Sequence, residues 1–443
     1  MKIKELIEVK EKKIKLKKVL IIAYYFPPLG GGGIQRTLKF IKYLPNFGWQ
    51  PIVLSPEKAG WISYDLTLLE EIHNIAKVYR TKCWGMPKDF NLLSWYSNQT
   101  NTKKLKVFFW RLFFFIFPDP MIGWIIPAII QGKRIIEREG VDIIYTTSPP
   151  HSEHFIGYFL KKINKKPWVA DFRDSFVSDP SLNNKLLKHK VKKFLYKIYE
   201  KIFIKNVDFI ISATPPINDD FLSRYSQILS SNKTDTITNG FDEESFPQNT
   251  DMDRKNDKFT ITYTGTFQGR RTPKHFLKAL QQLINEEPKV KDNIIVRFIG
   301  TFSERHKKLL INLKPNNVVM IKEYVNYKKS LQYQLESDVL LLIIEEESIY
   351  TGKIFEYIRV GKTILALVPP KGIAADLIRT NNLGIVVSSE DVEAIKNAIL
   401  KLYKKYEEGR LKITPRQDLL KRFNRKELTR KLANCFNKVA QKK

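Results

Sequence analysis

A run of four glycines at residues 30–33 stands between a strand-like apolar run and a segment with helical spacing. The apolar run covers residues 18–23, and apolar side chains recur at the helical period from Ile34 to Leu44. This order of strand, glycine turn and helix predicts the opening of a βαβ unit. Because glycine allows a ligand to come close to the backbone, the turn is expected to admit a phosphate or a sugar.

The glycine run does not match the fingerprint of dinucleotide-binding proteins. That fingerprint requires a glycine three residues after its second glycine, and counting from Gly30 this position is Gln35. The glycines also come late, because residues 24–29 separate them from the strand. A nicotinamide-dependent enzyme is therefore disfavoured, whereas a nucleotide or sugar ligand stays open.

The chain has 443 residues, which is more than one hydrophobic core usually supports, so two domains are expected. Strand-like and helix-like runs alternate on both sides of a polar, turn-rich segment, which predicts an α/β protein with two Rossmann-like, doubly wound parallel sheets facing a cleft. Ligands of such sheets bind beyond the carboxyl ends of the strands. The predicted parts are a basic tail at 1–17, an N-terminal domain at 18–240, a linker at 241–258, a C-terminal domain at 259–421 and a final helix at 422–443 that could cross back to the N-terminal domain.

The composition indicates which cellular compartment and which classes of partner suit the chain. Lys and Arg number 76 against 46 Asp and Glu, and the net charge of +30 favours a polyanion, an anionic membrane face or negatively charged small substrates. Cys83 and Cys435 form neither a disulfide framework nor a metal-binding cluster, which fits a reducing cytoplasm. The lysine-rich start lacks the apolar core of a signal peptide.

Two segments suggest contact with a membrane. Residues 107–130 are the most apolar stretch, but Arg111, Asp119 and three prolines argue against a membrane-spanning helix. This stretch is expected to form either a buried helix pair or a surface that enters one leaflet. The aromatic side chains concerned are Phe113, Phe114, Phe115, Phe117 and Trp124, and the lysine-rich segment 185–205 adds an apolar stripe of Leu187, Val191, Leu195, Ile198 and Ile202. The alternative is that both segments pack into the N-terminal core.

Several ordered strings resemble those of family 4-like glycosyltransferases with the two-domain GT-B fold. They are PPLGGGGIQRTLKFIKYL, FPDPMIGWIIPA, TSPPHSEHFIG, PWVADFRDSF, ITNGFD, TYTGTFQGRRTP and GKIFEYIRVGKTILAL, spread over about residues 18–440. The resemblance implies a nucleotide-diphosphate sugar bound mainly by the C-terminal domain, an acceptor bound by the N-terminal domain, and transfer that retains the anomeric configuration. It says less about which sugar is transferred.

The resemblance also implies a set of donor-binding residues. Glu356 matches the glutamate that accepts hydrogen bonds from the ribose hydroxyls, while the glutamate that often stands eight positions earlier is replaced by Ser348, with Glu347 one residue off. Cations are required because the diphosphate carries the charge of the leaving group. The full predicted set is Gly31, Gly32, Gly33, Gly265, Arg270, Arg271, Lys274, Lys353 and Glu356.

The N-terminal domain offers a second polar group. Arg173 stands where related enzymes place a histidine near the reacting sugar, and with Asp171 and Asp174 it is expected either to orient an acceptor hydroxyl and contact the donor, or to form a structural ion pair. His154, and less so His151, follow TSPP at the start of a helix, where a hydroxyl or phosphate could bind. A capping or core histidine is the alternative.

No metal site or cofactor is expected besides the nucleotide-sugar substrate. The DMD at 251–253 has the spacing of a metal-binding Asp-x-Asp, but it lies in the predicted linker rather than after a strand. The other carboxylates, histidines and cysteines form no better cluster. Transfer is therefore expected to be independent of metal.

These observations predict an enzyme, a retaining glycosyltransferase that moves a sugar to a lipid-linked or polysaccharide acceptor in cell-surface glycan synthesis. It is expected to work in the cytoplasm as a peripheral protein at the inner face of the membrane. The alternatives are a sugar-nucleotide epimerase of the same fold and a basic nucleic-acid-binding protein. The latter is disfavoured because the lysines are scattered and no nucleic-acid-binding module is present.

Overall fold

The computed structural model describes residues 16–57, 59, 64–83, 119–178, 187–247, 257–267, 270–313, 315, 317–411 and 413–441. Their strands form two sheets in which every pair of neighbours is parallel. Helices connect the strands, as parallel pairing requires. The predicted pair of Rossmann-like, doubly wound domains is confirmed.

The N-terminal sheet has seven strands in the order β3-β2-β1-β4-β5-β6-β7. They are β1 (Lys17–Ile22), β2 (Trp49–Pro56), β3 (Lys77–Thr81), β4 (Ile143–Ser148), β5 (Trp168–Phe172), β6 (Phe209–Ser212) and β7 (Thr234–Thr236). The strand order reverses between β1 and β4. The glycine turn follows β1, and TSPP spans the end of β4, so both lie at the position where open α/β sheets bind ligands.

The C-terminal sheet has six strands in the order β10-β9-β8-β11-β12-β13. They are β8 (Phe259–Thr264), β9 (Ile294–Ile299), β10 (Val319–Lys322), β11 (Val339–Ile343), β12 (Thr363–Leu367) and β13 (Gly384–Val387). Here the order reverses between β8 and β11. Gly265 follows β8 directly, which places it at the second switch point.

Fifteen α-helices are present in the described part of the chain. They are α1 (Gly32–Tyr43), α2 (Thr67–Glu70), α3 (Ile125–Glu139), α4 (Ser152–Asn164), α5 (Leu187–Asn206), α6 (Pro215–Arg224), α7 (Lys274–Glu286), α8 (Pro288–Asn293), α9 (Glu304–Leu313), α10 (Tyr327–Leu335), α11 (Gly352–Val360), α12 (Ile373–Thr380), α13 (Val392–Glu407), α14 (Gln417–Phe423) and α15 (Arg425–Ala440). The glycine turn begins α1 as the sequence predicts, and Gly31 precedes the helix with φ of 99°, a conformation that favours glycine.

The final helix, α15, packs on the N-terminal core although it follows the C-terminal sheet in sequence. The ring of Phe436 lies 5.2 Å from that of Trp49 and 5.7 Å from that of Tyr145, both between ring centroids. The indole N–H of Trp49 also donates to the side chain of Asn437 at 3.1 Å. The chain therefore crosses back between the two halves just before α15.

The first residues of the segment predicted as a linker pack against the part of the chain that crosses between the two halves. Phe241 and Phe246 are buried, and the backbone of Phe241 exchanges hydrogen bonds with Phe423 and Arg425. Asp242 is buried as well and forms ion pairs with Lys39 and Lys42 of α1 at 2.9 and 3.0 Å. The DMD at 251–253 lies outside the described residues.

The apolar stretch 107–130 is described only from Asp119 onward, so Phe113, Phe114, Phe115 and Phe117 lie outside the described residues. Trp124 is fully buried and donates its indole N–H to Thr81 at 2.7 Å. The expectation that Trp124 enters a lipid headgroup layer is therefore wrong in this conformation. Among the described helices, none is long and apolar enough to cross a membrane.

Candidate active site

The carboxyl edges of the two sheets face each other and are joined by hydrogen bonds. The hydroxyl of Thr214, after β6, donates to the carbonyl of Ser348, after β11, at 2.9 Å. Further along, the hydroxyl of Tyr324 lies 3.5 Å from a carboxylate oxygen of Asp65. The ends of the strands in the two sheets therefore border one cleft.

On the C-terminal side, a lysine amine lies buried without a hydrogen-bond acceptor. Among the described residues, Nζ of Lys353 has no partner, and it lies 3.9 Å from the ring centroid of Tyr263. Burial lowers the pKa of Lys353 well below its ordinary value, and the nearby Arg271 lowers it further, while Glu356 acts in the opposite direction. A buried amine in this state gains from any anion that reaches it.

Gly265 creates the space that Lys353 occupies. Its φ of 130° favours glycine, and a Cβ at this position would lie 2.5 Å from Nζ of Lys353. Within the described part of the chain, Nε of Arg271 is also buried without a partner. Nζ of Lys353, from α11, and Nε of Arg271, from the loop after β8, are therefore two buried nitrogens that no described protein group accepts a hydrogen bond from.

Glu356 lies in α11, one helical turn after Lys353. The side chain of Gln334 donates to one of its carboxylate oxygens at 3.0 Å, and Tyr327 also contributes a hydrogen bond. Burial raises the pKa of Glu356, and these hydrogen bonds partly offset the rise. Gln334 and Tyr327 belong to α10 and no motif in the sequence marks them, so sequence reasoning missed both.

The predicted basic cluster divides into two parts. Arg271 and Lys353 converge in the buried site, whereas Arg270 and Lys274 are exposed. Arg270 lies 3.7 Å from Glu346, at the limit of an ion pair. Glu347 is exposed, and its backbone carbonyl accepts the N–H of Ile373 at the start of α12.

On the N-terminal side, Asp171 is engaged by protein groups only. Both of its carboxylate oxygens accept hydrogen bonds from Arg36 at 2.8 Å, and Tyr145 and Thr147 donate to it at 2.7 and 2.9 Å. Burial raises the pKa of Asp171, but the charge and hydrogen bonds of Arg36 outweigh this and bring it below its ordinary value. The geometry favours the structural ion pair, the alternative that the sequence left open, over contact with an acceptor.

His154 is buried as well, with both ring nitrogens occupied. Nδ1 lies 2.8 Å from the hydroxyl of Thr146, and Nε2 lies 2.9 Å from that of Ser148. Burial lowers its pKa well below the ordinary value, so the ring is neutral. The environment favours a core histidine over a residue that binds substrate.

Arg173 is the predicted N-terminal residue that remains at the cleft. Its guanidinium donates to the carbonyls of Gly33, Ser148 and Pro149, and so joins the glycine turn to the turn after β4. Asp174 beside it is exposed. A Cβ at Gly32 would meet no atom within 4 Å, so the glycine turn has open space beside it.

His151 differs from His154 in having a buried Nδ1 with no partner among the described residues. Its ring stacks on that of Phe176 at 4.3 Å, and burial lowers its pKa to about 3. No group of three or more His, Cys, Asp or Glu in the described ranges could bind a metal ion.

Comparison with known protein families gives a match for the C-terminal half of the chain. Residues 246–416 match the family described as glycosyl transferases group 1. The chain carries a glycosyltransferase domain of group 1. The predicted enzyme class is confirmed, and the match includes the turn after β8 and the whole of α11. No significant match is found among curated protein sequences.

Solved structures extend the likeness to both halves of this glycosyltransferase. Sucrose-phosphate synthase from Thermosynechococcus elongatus has a TM-score of 0.65 at 14% identity, over 96% of this chain and 100% of that one. A glycosyltransferase from Rickettsia africae has a TM-score of 0.65 at 16% identity, over 97% and 100%. HepE from Anabaena, solved with UDP and glucose, has a TM-score of 0.62 at 14% identity, over 95% and 99%. At these identities the likeness establishes the fold, and the predicted GT-B arrangement is confirmed.

The first prediction tests the structural role of Asp171. Asp171→Asn would leave Arg36 buried without its counter-charge, so the free energy of unfolding should fall by ~3–5 kcal/mol. The measurement is urea unfolding at neutral pH. Because the pKa of Asp171 is lowered in the folded state, its contribution is present above an ordinary carboxyl pKa of about 4 and is lost as the pH falls through the lowered value.

Asp418→Asn is the control, because Asp418 forms an exposed pair with Arg416 and should change stability little. Unchanged stability in Asp171→Asn, together with lost turnover, would instead restore Asp171 as a residue that acts on substrate.

Proposed function

We propose that the chain is a retaining glycosyltransferase that moves a sugar from a nucleotide-diphosphate donor to a lipid-linked or polysaccharide acceptor in cell-surface glycan synthesis. The observation that carries the donor class is a pair of buried nitrogens, Nζ of Lys353 beside Gly265 and Nε of Arg271, that have no hydrogen-bond partner among the described residues. A diphosphate supplies the oxygen acceptors that both groups lack. The HepE structure, with UDP and glucose bound to the same fold, makes UDP the first donor nucleotide to test.

The positive charge at this site is opposite in sign to the negative charge that develops on the diphosphate during sugar transfer. When the bond between the anomeric carbon and the diphosphate breaks, the electron pair goes to the diphosphate oxygen. Lys353 and Arg271 would meet the developing negative charge with positive charge that is already in place, which is the arrangement that lowers such a barrier. Glu356 would accept hydrogen bonds from the ribose hydroxyls, while Gln334 and Tyr327 fix its orientation.

The acceptor would enter from the N-terminal side of the cleft. Arg173 holds the glycine turn and the turn after β4 together, and the space beside Gly32 is open. These features support an acceptor site between the two turns. The acceptor hydroxyl would bond to the anomeric carbon there, and its proton would pass to the departing diphosphate oxygen.

The outer surface of the N-terminal domain supports a membrane-associated acceptor. Three helices that contact one another in sequence order, α3, α4 and α5, each expose large apolar side chains. They are Ile126 and Ile130 on α3, Phe159 and Ile163 on α4, and Val191, Phe194 and Ile198 on α5. Exposed cations on the same helices include Lys133, Arg134, Lys162, Lys190, Lys197 and Lys201. An apolar face of this kind among cations suits the surface of an anionic bilayer.

The second prediction concerns the donor. Lys353→Met should weaken UDP binding about tenfold or more, because one charge-assisted hydrogen bond to the diphosphate is lost. Isothermal titration with UDP measures this, and parallel titrations with GDP and ADP test the choice of base. Lys289→Met is the matched control and should leave the affinity unchanged, because Lys289 is exposed on α8, which precedes the amino end of β9.

The affinity for UDP measured in the same titration is expected to depend on pH in a defined direction. Because the pKa of Lys353 is lowered in the free protein, the affinity for UDP should fall as the pH rises through that value, and binding should take up protons. Titrations in buffers of different ionisation enthalpy measure the uptake. Equal affinity and equal proton uptake in wild type and Lys353→Met would show that the diphosphate binds elsewhere.

The third prediction is that transfer continues in excess EDTA. The positive charge that a divalent cation would supply is supplied here by Lys353 and Arg271. The assay follows release of the nucleotide diphosphate with and without acceptor. Loss of activity that magnesium or manganese restores would contradict the prediction, and conversion of the donor without any acceptor would indicate the epimerase.

The fourth prediction tests the membrane face. Binding to vesicles should require anionic lipid and should weaken with added salt, because each lysine near the surface contributes ~1 kcal/mol that ions screen. Co-sedimentation measures it. Phe194→Ser with Ile198→Ser, and neutralisation of the lysines from 188 to 201, should each reduce the bound fraction several-fold.

Ile311→Ser is the matched control, since Ile311 is an exposed apolar residue on α9 of the C-terminal domain. Equal recovery in the supernatant with neutral and anionic vesicles at low salt would exclude the membrane surface and favour a soluble acceptor.

A further inference from the structure

A small pocket lies where the two halves of the chain meet, and none of the residues assigned above lines it. It encloses about 110 Å³. Thr236 at the end of β7 and Thr238 after it line the pocket from the N-terminal half, and Tyr350 lines it from the C-terminal half. Arg422 and Lys431, at the end of α14 and within α15, complete its polar lining. We call it the border pocket.

The charge of the border pocket is positive. Within the part of the chain that the structure describes, neither Arg422 nor Lys431 forms an ion pair, and no carboxylate residue lines the pocket. An anion is therefore the favoured occupant.

The size and the polar groups narrow the choice of anion. A cavity of about 150 Å³ holds benzene, whereas pockets for nucleotide-sized ligands measure about 300–1,000 Å³. The border pocket, at about 110 Å³, suits a single tetrahedral oxyanion. The hydroxyls of Thr236, Thr238 and Tyr350 can donate hydrogen bonds, and burial raises the pKa of Tyr350, which keeps its hydroxyl protonated.

We propose that the border pocket binds a phosphoryl group, at a site separate from the donor diphosphate. The group could be a free phosphate or the phosphate of a larger molecule such as a phosphorylated acceptor. Because the lining residues come from both halves, an occupant would stabilise their observed arrangement. Tyr350 also lies three residues before Lys353, so a phosphoryl group bound in the border pocket would affect the position of the start of α11.

The test uses the full chain and inorganic phosphate, with sodium chloride added to equal ionic strength as the reference. In the Lys353→Met background, which weakens the donor site, phosphate should raise the melting temperature in a saturable way. Arg422→Gln with Lys431→Gln should raise the dissociation constant for phosphate at least about tenfold, since two charge-assisted hydrogen bonds are lost. Both side chains are exposed, so the variant should fold.

Lys421→Gln with Lys426→Gln is the matched control, because it removes the same charge from neighbouring exposed positions that do not line the pocket. A parallel titration with butyl phosphate distinguishes the sources. Binding of both ligands indicates a phosphoryl group on a larger molecule, and binding of inorganic phosphate alone indicates the free ion. The proposal would be overturned if the melting temperature depended equally on phosphate in the Arg422/Lys431 variant and in the control, or if phosphate had no saturable effect in either. UDP binding by the Arg422/Lys431 variant is measured separately, and it tests whether the donor site is intact.

Discussion

The buried ion pair between Arg36 and Asp171 joins the parts of the N-terminal domain on which the cleft depends. Arg36 lies one helical turn into α1, and Asp171 lies in β5, 135 residues further along the chain. The third nitrogen of the same guanidinium donates to the carbonyl of Thr238 at 2.9 Å. Burying two charges is costly, and here the cost is met because every carboxylate oxygen has hydrogen-bond donors. The pair fixes the glycine turn relative to the sheet and to the residues that precede the chain crossing.

Buried charges are treated differently in the two halves of the chain. In the N-terminal half, Asp171 is neutralised by Arg36, and Asp242 by Lys39 and Lys42. In the C-terminal half, Lys353 and Arg271 have buried nitrogens without partners among the described residues. A folded protein rarely leaves such groups unsatisfied without a reason. This contrast locates the demand for a ligand on the C-terminal side, which is the side that matches the glycosyltransferase family.

The crossing of the chain between the two halves gives the cleft a defined border. Phe241 pairs with the residues on both sides of Asn424, and α15 then packs against the N-terminal core through Phe436. The same crossing carries Arg422 and Lys431 to the border pocket, beside Thr236, Thr238 and Tyr350. The border pocket is therefore a consequence of how the final helix returns, and its lining could not exist in either half alone.

The sequence by itself determined the class of fold and the C-terminal part of the site. Alternating strand and helix patterns predicted two doubly wound sheets, because that alternation is what parallel strands need. Gly265, Arg271, Lys353 and Glu356 were named as candidates from the resemblance to family 4-like glycosyltransferases. Their partners were not, since Gln334 and Tyr327 come from a helix that no motif marks.

Only the tertiary structure decided what the N-terminal polar residues do. Asp171 and His154 stand in motifs that suggested chemistry, whereas no motif marks Arg36 or Lys39. Folding buries all four. Arg36 and Lys39 of α1 meet Asp171 and Asp242, and the ring of His154 in α4 packs against that of Phe172. A carboxylate and a guanidinium 135 residues apart satisfy each other only when the sheet order brings their strands and helices together. Spacing along a chain records local periodicity, and it carries no information about which distant group will neutralise a charge.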